Sequence, residues 1–232
     1  MYVEKILLKN FRNLDDLSFD LNKNLNFLIG ANGQGKTNFL ESLYLLGTGR
    51  SHRTNIDREM VNWNKDTALI QIMLNKKDYK LKISLLLEGS KKSIKINNTP
   101  IEKVSELIGN LNVVLFSPED LDLVKGSPAN RRKFLNIEVS QVNSYYHHLM
   151  NEYNHILKQR NNLLKDLKDK KNDKKMNMLE IWDEQIIEVG TKVIADFIVH
   201  LKSEDVNVEY KIDNIGTIDK NIAEIEKIKQ GN

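Results

Sequence analysis

The sequence predicts an α/β fold with a mixed sheet and an inserted antiparallel pair of helices. Three observations carry this prediction. Residues 25–29 form a compact apolar run that ends at Gly30, where a glycine-rich loop and then a helical pattern follow. The rest of the first half shows short runs typical of strands, and the second half changes to a sustained helical period. A strand, a loop and a helix in this order form a building unit of α/β proteins.

Short strands are expected throughout the first half of the chain. Segments 68–74 and 79–87 have the composition and length of two strands in a hairpin. Asn97-Asn98 is a tight-turn signal between two further short strands. The apolar run 113–116 predicts another buried strand, which Ser117-Pro118 would end. The predicted strands of this half are 2–8, 17–21, 25–29, 68–74, 79–87, 93–97, the residues around 101, and 113–116.

The loop after residue 29 has the pattern that binds nucleotide phosphates. Gly30 to Thr37 matches G-x-x-x-x-G-K-[S/T] at every fixed position. Its glycines allow backbone N–H groups to face a phosphate, and the helix expected at 37–46 adds its positive end. Lys36 supplies a charge for the β- and γ-phosphates, and Thr37 a hydroxyl for Mg²⁺. The sequence therefore predicts binding of ATP and Mg²⁺ by Gly30, Ala31, Asn32, Gly33, Gln34, Gly35, Lys36 and Thr37.

A long helical pattern occupies the second half. From Leu135 to Ile156, apolar residues recur at alternating spacings of four and three. This spacing predicts a coiled coil, and a plain amphipathic helix on a globular body is the alternative. A charged connection at 165–177 and a second helix at about 178–201 would complete an antiparallel hairpin. The expected domains are residues 1–125, the N-terminal part of a nucleotide-binding head; 126–202, a helical lid or arm; and 203–232, a truncated or divergent tail.

Positive charge concentrates in the predicted helical region. Between Lys125 and Lys175 there are 12 Lys/Arg and 5 Asp/Glu residues, whereas the whole chain has a formal net charge of +3. This segregation suggests a surface that faces a polyanion, and an ordinary solvated helix face is the alternative. The candidate residues of such a surface would contact the phosphates of a nucleic-acid backbone without reading the base sequence. They are Arg131, Arg132, Lys170 and Lys171.

The composition also limits the cellular setting. The chain has no cysteine, which excludes disulfides, thiolate chemistry and cysteine-based metal sites. The first eight residues lack the basic start and the continuous apolar run of a signal peptide. The longest apolar stretches are far too short to span a bilayer. A cytoplasmic location without a membrane partner is therefore expected.

Seven further segments accompany the phosphate loop. In chain order they are LKNFRN at 8–13, NFLESL at 38–43, GRSHRT at 49–54, SPEDL at 117–121, KGSP at 125–128 with Arg131-Arg132, KQRN at 158–161, and WDEQ at 182–185. Together, in this order and spacing, they resemble the RecF family of bacterial DNA replication and repair proteins. The resemblance covers about residues 1–201.

The resemblance implies a P-loop NTPase head of the ABC and SMC type that carries a short helical arm. Family members bind ATP, form homodimers with two ATP molecules in the interface, and bind DNA. They act with RecO and RecR to load recombinase at single-strand gaps, so single-stranded and gapped duplex DNA are the expected partners. Arg12, Arg50 and Arg53 lie in segments expected to approach the nucleotide or the DNA, because a guanidinium group suits phosphate. Ordinary surface arginines are the alternative.

Two motifs that the family uses for hydrolysis are missing from the sequence. One is a strand of four apolar residues followed by two acids, and the other is a serine-containing, glycine-rich signature loop. Glu119 is the candidate catalytic acid, although Glu119 or Asp120 would equally cap the helix that Pro118 begins. The sequence thus predicts a head that is incomplete at its C-terminus, as in a truncated or frameshifted copy or a cloned fragment, and that binds ATP without efficient hydrolysis. A small-molecule P-loop kinase and a coiled-coil adaptor with a vestigial loop are the alternative functions.

Overall fold

The computed structural model describes residues 1–169 and 173–203. The chain divides into two compact units, of which the first is Met1–Ser144 and the second begins at Tyr145. The predicted domain boundaries at 125 and 202 stay predictions. Most of the predicted tail, from residue 204 onward, lies outside the described residues.

A six-stranded sheet organises the first unit. Its order is β2-β1-β3-β4-β5-β6, and each neighbouring pair is antiparallel. Asn97 and Asn98 join the last two strands with φ of 49° and 68°, the left-handed conformation that a two-residue hairpin turn requires. The predicted hairpin of 68–74 and 79–87 is confirmed. The strands are β1 (Tyr2–Phe11), β2 (Leu14–Asp20), β3 (Thr67–Asn75), β4 (Lys80–Glu88), β5 (Lys91–Ile96) and β6 (Thr99–Ile101).

The core of the first unit forms between one face of this sheet and helix α1 (Lys36–Thr48). Alternate residues of β3 and β4 are buried, which leaves the intervening residues on the opposite face. From α1, Leu45 and Leu46 are fully buried in the same cluster. Each aliphatic side chain of this size contributes about 1.5–3 kcal/mol when buried. The predicted helix at 37–46 is confirmed as part of α1. Because α1 packs on the sheet, the position of its first turn is fixed relative to the sheet.

Two predicted strands are wrong. Residues 25–29 and 113–116 belong to no strand or helix, and neither segment pairs with a strand within the described residues. The side-chain amide of Gln141 instead bonds the backbone of Val113, accepting from its N–H at 2.7 Å and donating to its carbonyl at 3.0 Å. An apolar run predicts burial, but a strand also needs a hydrogen-bonding neighbour. Phe27 and Ile29 are 77% and 92% exposed.

Short helices connect the sheet to the longer helices. Single 3₁₀ turns occupy Asp57–Met60, Val104–Glu106 and Pro118–Leu121. The carboxylate of Asp120 accepts from the backbone N–H of Ser117 at 2.6 Å, so the capping interpretation is confirmed for Asp120. The side chain of Glu119 lies outside the described part of the structure. Helices α2 (Asp122–Lys125) and α3 (Pro128–Val142) complete the first unit.

The second unit is an antiparallel pair of helices, α4 (Ser144–Asp169) and α5 (Asp173–Ser203). Matched contacts recur every seven residues: the rings of Tyr146 and Phe197, then Tyr153 against Gly190, then the ion pair between Arg160 and Asp183. The heptad spacing therefore predicts the helix pairing correctly in this part. The Arg160–Asp183 pair also joins two of the segments singled out in the sequence, 158–161 and 182–185.

The predicted helical series is wrong at its beginning. Asn143 has an extended conformation, with φ of −131°, and separates α3 from α4. Leu135 and Val142 are 39% and 58% exposed, so they do not continue the buried seam of the second unit. Helix α3 belongs to the first unit. Its apolar spacing nevertheless looks the same as that of α4, and the sequence does not show that the two helices are separate. None of the described helices combines the length and the apolar character needed to cross a bilayer.

Gly47 provides a test of the packing behind α1. A Cβ at this position would lie 2.6 Å from Cγ2 of Val113 and 2.9 Å from the carbonyl oxygen of Leu111. Alanine favours a helix over glycine by about 1 kcal/mol, but a clash with backbone cannot be relieved by a side-chain rotation. We expect Gly47→Ala to lower the free energy of unfolding by about 1–3 kcal/mol, as measured by urea denaturation with circular dichroism.

The matched control is Gly190→Ala in α5. Its Cβ would meet only the Tyr153 ring, at 3.3 Å, and that ring can shift slightly. A smaller loss of stability is expected there. Equal stability of Gly47→Ala and the wild type would show that residues 111–113 do not pack against α1.

Candidate phosphate-binding site

The loop before α1 has the conformation that its glycines allow. Gly33 and Gly35 have φ of 81° and 88°, in the left-handed region that favours glycine. A Cβ on Gly35 would lie 2.5 Å from Cδ2 of Leu14 and 2.8 Å from Oδ1 of Asn13. The loop therefore lies directly against the turn between β1 and β2, and Gly35 permits this close approach.

Lys36 holds its charge over the loop. Its Nζ donates hydrogen bonds of 2.7 Å to the carbonyls of Gly30 and Ala31. The N-cap of α1, Gly35, offers no side-chain acceptor, and the first turn has no acidic residue. The N–H groups at the start of the helix are therefore not satisfied by a capping side chain, which suits an anion. Thr37 is exposed at the same end of the helix.

A buried ion-pair cluster lies behind the loop, centred on Glu41 of α1. The Glu41 side chain is fully buried. Arg12 donates to both of its oxygens, at 2.7 and 3.1 Å, in a bidentate pair. Ser51 donates to Oε1 at 2.5 Å, and Arg53 donates to Oε2 at 3.3 Å. One carboxylate thus joins the β1–β2 turn, the helix and the segment after the helix.

The surroundings of Glu41 determine its protonation. Burial alone raises the pKa of this carboxyl, but the hydrogen bonds from Arg12 and Ser51 and the charges of Arg12 and Arg53 more than compensate, so its pKa lies below the ordinary value of 4.5. Glu41 is therefore ionised at neutral pH. Since arginine and serine donors occupy both of its oxygens, it is not free to act as a general base.

The turn that carries Arg12 has an unusual backbone. Asn10 and Arg12 have φ of 52° and 54°, a conformation that costs a residue with a side chain about 1 kcal/mol or more. The turn is held by bonds from the Asn62 N–H to the Asn10 carbonyl and from the Arg12 N–H to the Met60 carbonyl, each 2.8 Å. Arg12 also donates to the Glu59 carbonyl at 2.6 Å. These contacts keep Arg12 directed at Glu41.

The structure separates the three candidate arginines by environment. Arg12 and Arg53 come together at Glu41, although Arg53 is exposed, as Arg50 is. Within the described part of the chain, the Arg50 side chain has no hydrogen-bond or ion-pair partner. Arg50 is thus the one of the three whose guanidinium group is not already paired with Glu41.

The candidate DNA-binding residues have different surroundings. Arg131 donates to the carbonyls of Leu123 and Gly126, at 3.3 and 3.2 Å. Arg132 is exposed on α3. Lys170 and Lys171 lie outside the described residues. Arg132 is therefore the described candidate whose charge is most accessible.

Sequence reasoning does not identify several residues of the site. Glu41, Ser51, Asn13 and Asn38 all take part in the contacts around the loop. The sequence contains one indication that Glu41 is unusual, because it is a lone carboxylate within an apolar helical pattern. A buried carboxylate requires a cationic partner, but the sequence does not say which arginine supplies it.

A sequence model of the RecF/RecN/SMC N terminal domain matches residues 2–123, which is more than half of the chain. The chain belongs to this family. Residues 2–123 include the loop, α1, Arg12, Glu41 and Arg53. The resemblance expected from the short segments is therefore confirmed.

Among curated relatives, the DNA replication and repair protein RecF of Halothermothrix orenii is 57% identical over 196 residues, covering 84% of this chain and 52% of the relative. The protein of the same name from Clostridium acetobutylicum is 44% identical over 202 residues, covering 87% and 54%. The chain thus spans about half the length of these curated relatives.

Two solved structures are similar to the chain, each with a TM-score of 0.82. One is described as the recombination mediator protein RecF-ATPrS in the RecFOR pathway; it is 32% identical, and the match covers 87% of this chain and 54% of that one. The other, RecF-ATP in the same pathway, is 27% identical, and the match covers 99% and 67%. They confirm the predicted fold class, a P-loop ATPase head with a helical arm.

Glu41→Gln tests the ion-pair cluster. Glutamine keeps the length of the side chain but leaves two arginines without a carboxylate, so we expect a loss of about 3 kcal/mol in the free energy of unfolding at pH 7. Because the folded pKa is lowered, the stability from ionised Glu41 is present above pH 4.5 and is lost as the pH falls through the folded value. The gap between the two proteins should therefore close in acid.

Urea denaturation from pH 7 to pH 3 measures this gap. The control is Glu188→Gln, which removes an exposed carboxylate paired with Lys192 on α5; little change is expected there because solvent screens the pair. A gap for Glu41→Gln that stays constant with pH would contradict the assignment of a stabilising, ionised Glu41.

Proposed function

We propose that this chain binds ATP with Mg²⁺ at Gly30–Thr37 and acts as a RecF-type DNA-binding protein in recombinational repair and replication-fork maintenance. The observation that carries the proposal is the loop itself. Left-handed glycines, Lys36 and an uncapped helix start converge in a chain of the RecF/RecN/SMC family. The similar solved structures are described as RecF with ATP and with ATPrS, which supports ATP as the ligand.

Different groups of the loop would each interact with part of the triphosphate. Backbone N–H groups of the loop and of the first turn of α1 would face the phosphate oxygens. Lys36, which now bonds the carbonyls of Gly30 and Ala31, lies within reach of the same space. Mg²⁺ would neutralise part of the phosphate charge, and the exposed Thr37 hydroxyl is its ligand from this chain.

The arginines have separate roles in this proposal. Arg12 and Arg53 stabilise Glu41 and the loop from behind, so neither is assigned direct contact with the triphosphate. Arg50 is exposed and has no partner in the described part of the chain. We assign Arg50 to the phosphate of the nucleotide or of the DNA.

The chain alone is proposed to bind ATP without efficient hydrolysis. Hydrolysis needs a group that orients or activates the attacking water. Glu41 is the carboxylate that α1 carries near the loop, but two arginines and Ser51 occupy its oxygens. Glu41 is therefore assigned a structural role.

Recognition of DNA is proposed to be electrostatic and independent of sequence. Arg132 is exposed on α3, and the 125–175 segment has an excess of seven positive charges, from 12 Lys/Arg against 5 Asp/Glu. Gapped duplex and single-stranded DNA are the proposed partners, together with RecO, RecR and a second copy of the chain. The similar structures are described as RecF in the RecFOR pathway, which supports RecO and RecR within this set.

Lys36→Ala tests the nucleotide site. The variant loses the cation but keeps the backbone donors, so we expect the affinity for ATP with Mg²⁺ to fall at least tenfold without unfolding. Calorimetric titration measures the affinity, thermal unfolding checks the fold, and phosphate release measures turnover. Lys23→Ala, at an exposed lysine before residues 25–29, is the control. Equal ATP affinity in wild type and Lys36→Ala would exclude the assigned site and would favour the adaptor with a vestigial loop.

Salt dependence tests DNA binding. Log affinity falls as log salt concentration rises, and each phosphate that a variant no longer neutralises makes this slope shallower by about 0.7–0.9. We expect Arg132→Glu and the double variant Lys170→Glu/Lys171→Glu to make the salt dependence of binding to gapped duplex DNA shallower, as measured by fluorescence anisotropy. Reversal of Lys76 and Lys77, on the turn between β3 and β4, is the control and should have a smaller effect. An affinity that does not depend on salt would show that the basic segment is only a solvated face.

A further inference from the structure

A continuous chain of three hydrogen bonds links the ion-pair cluster to the phosphate loop. Arg53 Nη1 donates to Asn38 Oδ1 at 2.7 Å, and Asn38 Nδ2 donates to Asn13 Oδ1 at 2.8 Å. Asn13 Nδ2 then donates to the carbonyl oxygen of Gly33 at 2.6 Å. The four residues come from four separate places: the segment after α1, α1 itself, the β1–β2 turn and the loop.

The direction of this chain is fixed by its two ends. A guanidinium group can only donate, and a backbone carbonyl can only accept. Each amide between them must therefore turn its oxygen toward Arg53 and its nitrogen toward the loop. All three bonds point the same way, so the positive charge of Arg53 polarises each amide in turn and strengthens the bond to Gly33.

The bond to Gly33 sets the orientation of a peptide group in the loop. In a trans peptide the carbonyl and the following N–H point in opposite directions. When Asn13 holds the Gly33 carbonyl, the N–H of Gln34 is directed away from Asn13. This peptide joins Gly33 to Gln34, which Gly35 follows, and both glycines are left-handed and conformationally permissive. Its orientation therefore needs an external constraint.

The far end of the chain is itself fixed. Arg53 bonds Glu41, which is fully buried and also held by Arg12 and Ser51. Asn13, by contrast, is exposed and Asn38 is half-buried. Exposed amides contribute little to global stability, so the effect of these two residues should be confined to the loop.

We propose that Asn13 and Asn38 are positioning residues that orient the Gly33–Gln34 peptide for a phosphate group, with Arg53 and Glu41 as their fixed support. The proposal rests on the proposed function of the loop in ATP binding. It assigns to two asparagines outside or beside the loop motif a role that acts through the backbone and involves no contact with the ligand.

The experiment uses Asn13→Ala, Asn38→Ala and the double variant of the whole chain. Calorimetry with ATP and Mg²⁺ is expected to show about a tenfold loss of affinity for each single variant, which is the loss of one hydrogen bond. Because the residues act in series, the double variant should lose no more than the larger single loss. Melting temperatures should not change. Asn64→Ala, at an exposed asparagine in the turn before β3, is the control and should bind as the wild type does.

A second readout does not depend on nucleotide. The amide resonance of Gln34 in the ligand-free protein should shift in Asn13→Ala and Asn38→Ala, and should stay in place in Asn64→Ala. If the wild type does not bind ATP, the proposed function fails, and this resonance still decides whether the chain of bonds orients the peptide. Unchanged resonance and affinity in both single variants would overturn the proposal, as would losses that add fully in the double variant.

Discussion

The pair between Glu41 and Arg12 is the interaction on which the rest of the site depends. A fully buried carboxylate is unstable unless cations and hydrogen bonds compensate for the lost water. Here two arginines and a serine do so from two segments, the β1–β2 turn and the segment after α1. Removal of one partner from such a cluster costs about 3–5 kcal/mol, which is several times the contribution of one exposed hydrogen bond. The cluster therefore determines where the β1–β2 turn and the GRSHRT segment lie relative to α1.

The strain in the β1–β2 turn follows from the same constraint. Arg12 occupies a left-handed conformation that costs about 1 kcal/mol or more. That conformation directs the guanidinium group at Glu41 and leaves the next side chain, Asn13, beside Gly33 and Gly35. A bidentate ion pair with a buried carboxylate outweighs this cost. One short turn thus stabilises the helix and orients the loop.

The sequence predicts the local parts of the fold and the site, and not the long-range ones. The loop motif is recognised because its residues are consecutive, whereas Glu41 and Arg12 are 29 residues apart, so no spacing rule joins them. A guanidinium group suits any anion, and in the structure Arg12 and Arg53 both bond the Glu41 carboxylate. Residues 113–116 are apolar enough to be a strand, but the Gln141 amide takes the place of a neighbouring strand. In each case the deciding contact comes from a distant part of the chain.

The relation between stability and binding follows from how the contacts are arranged. The strong contacts centre on the buried carboxylate of Glu41. The weaker amide contacts through Asn38 and Asn13 extend from them to Gly33. The fold would therefore tolerate loss of the amide contacts while the loop loses its orientation. A site built in this order keeps its flexible glycines, which an approaching phosphate needs, and still presents one peptide in a fixed direction.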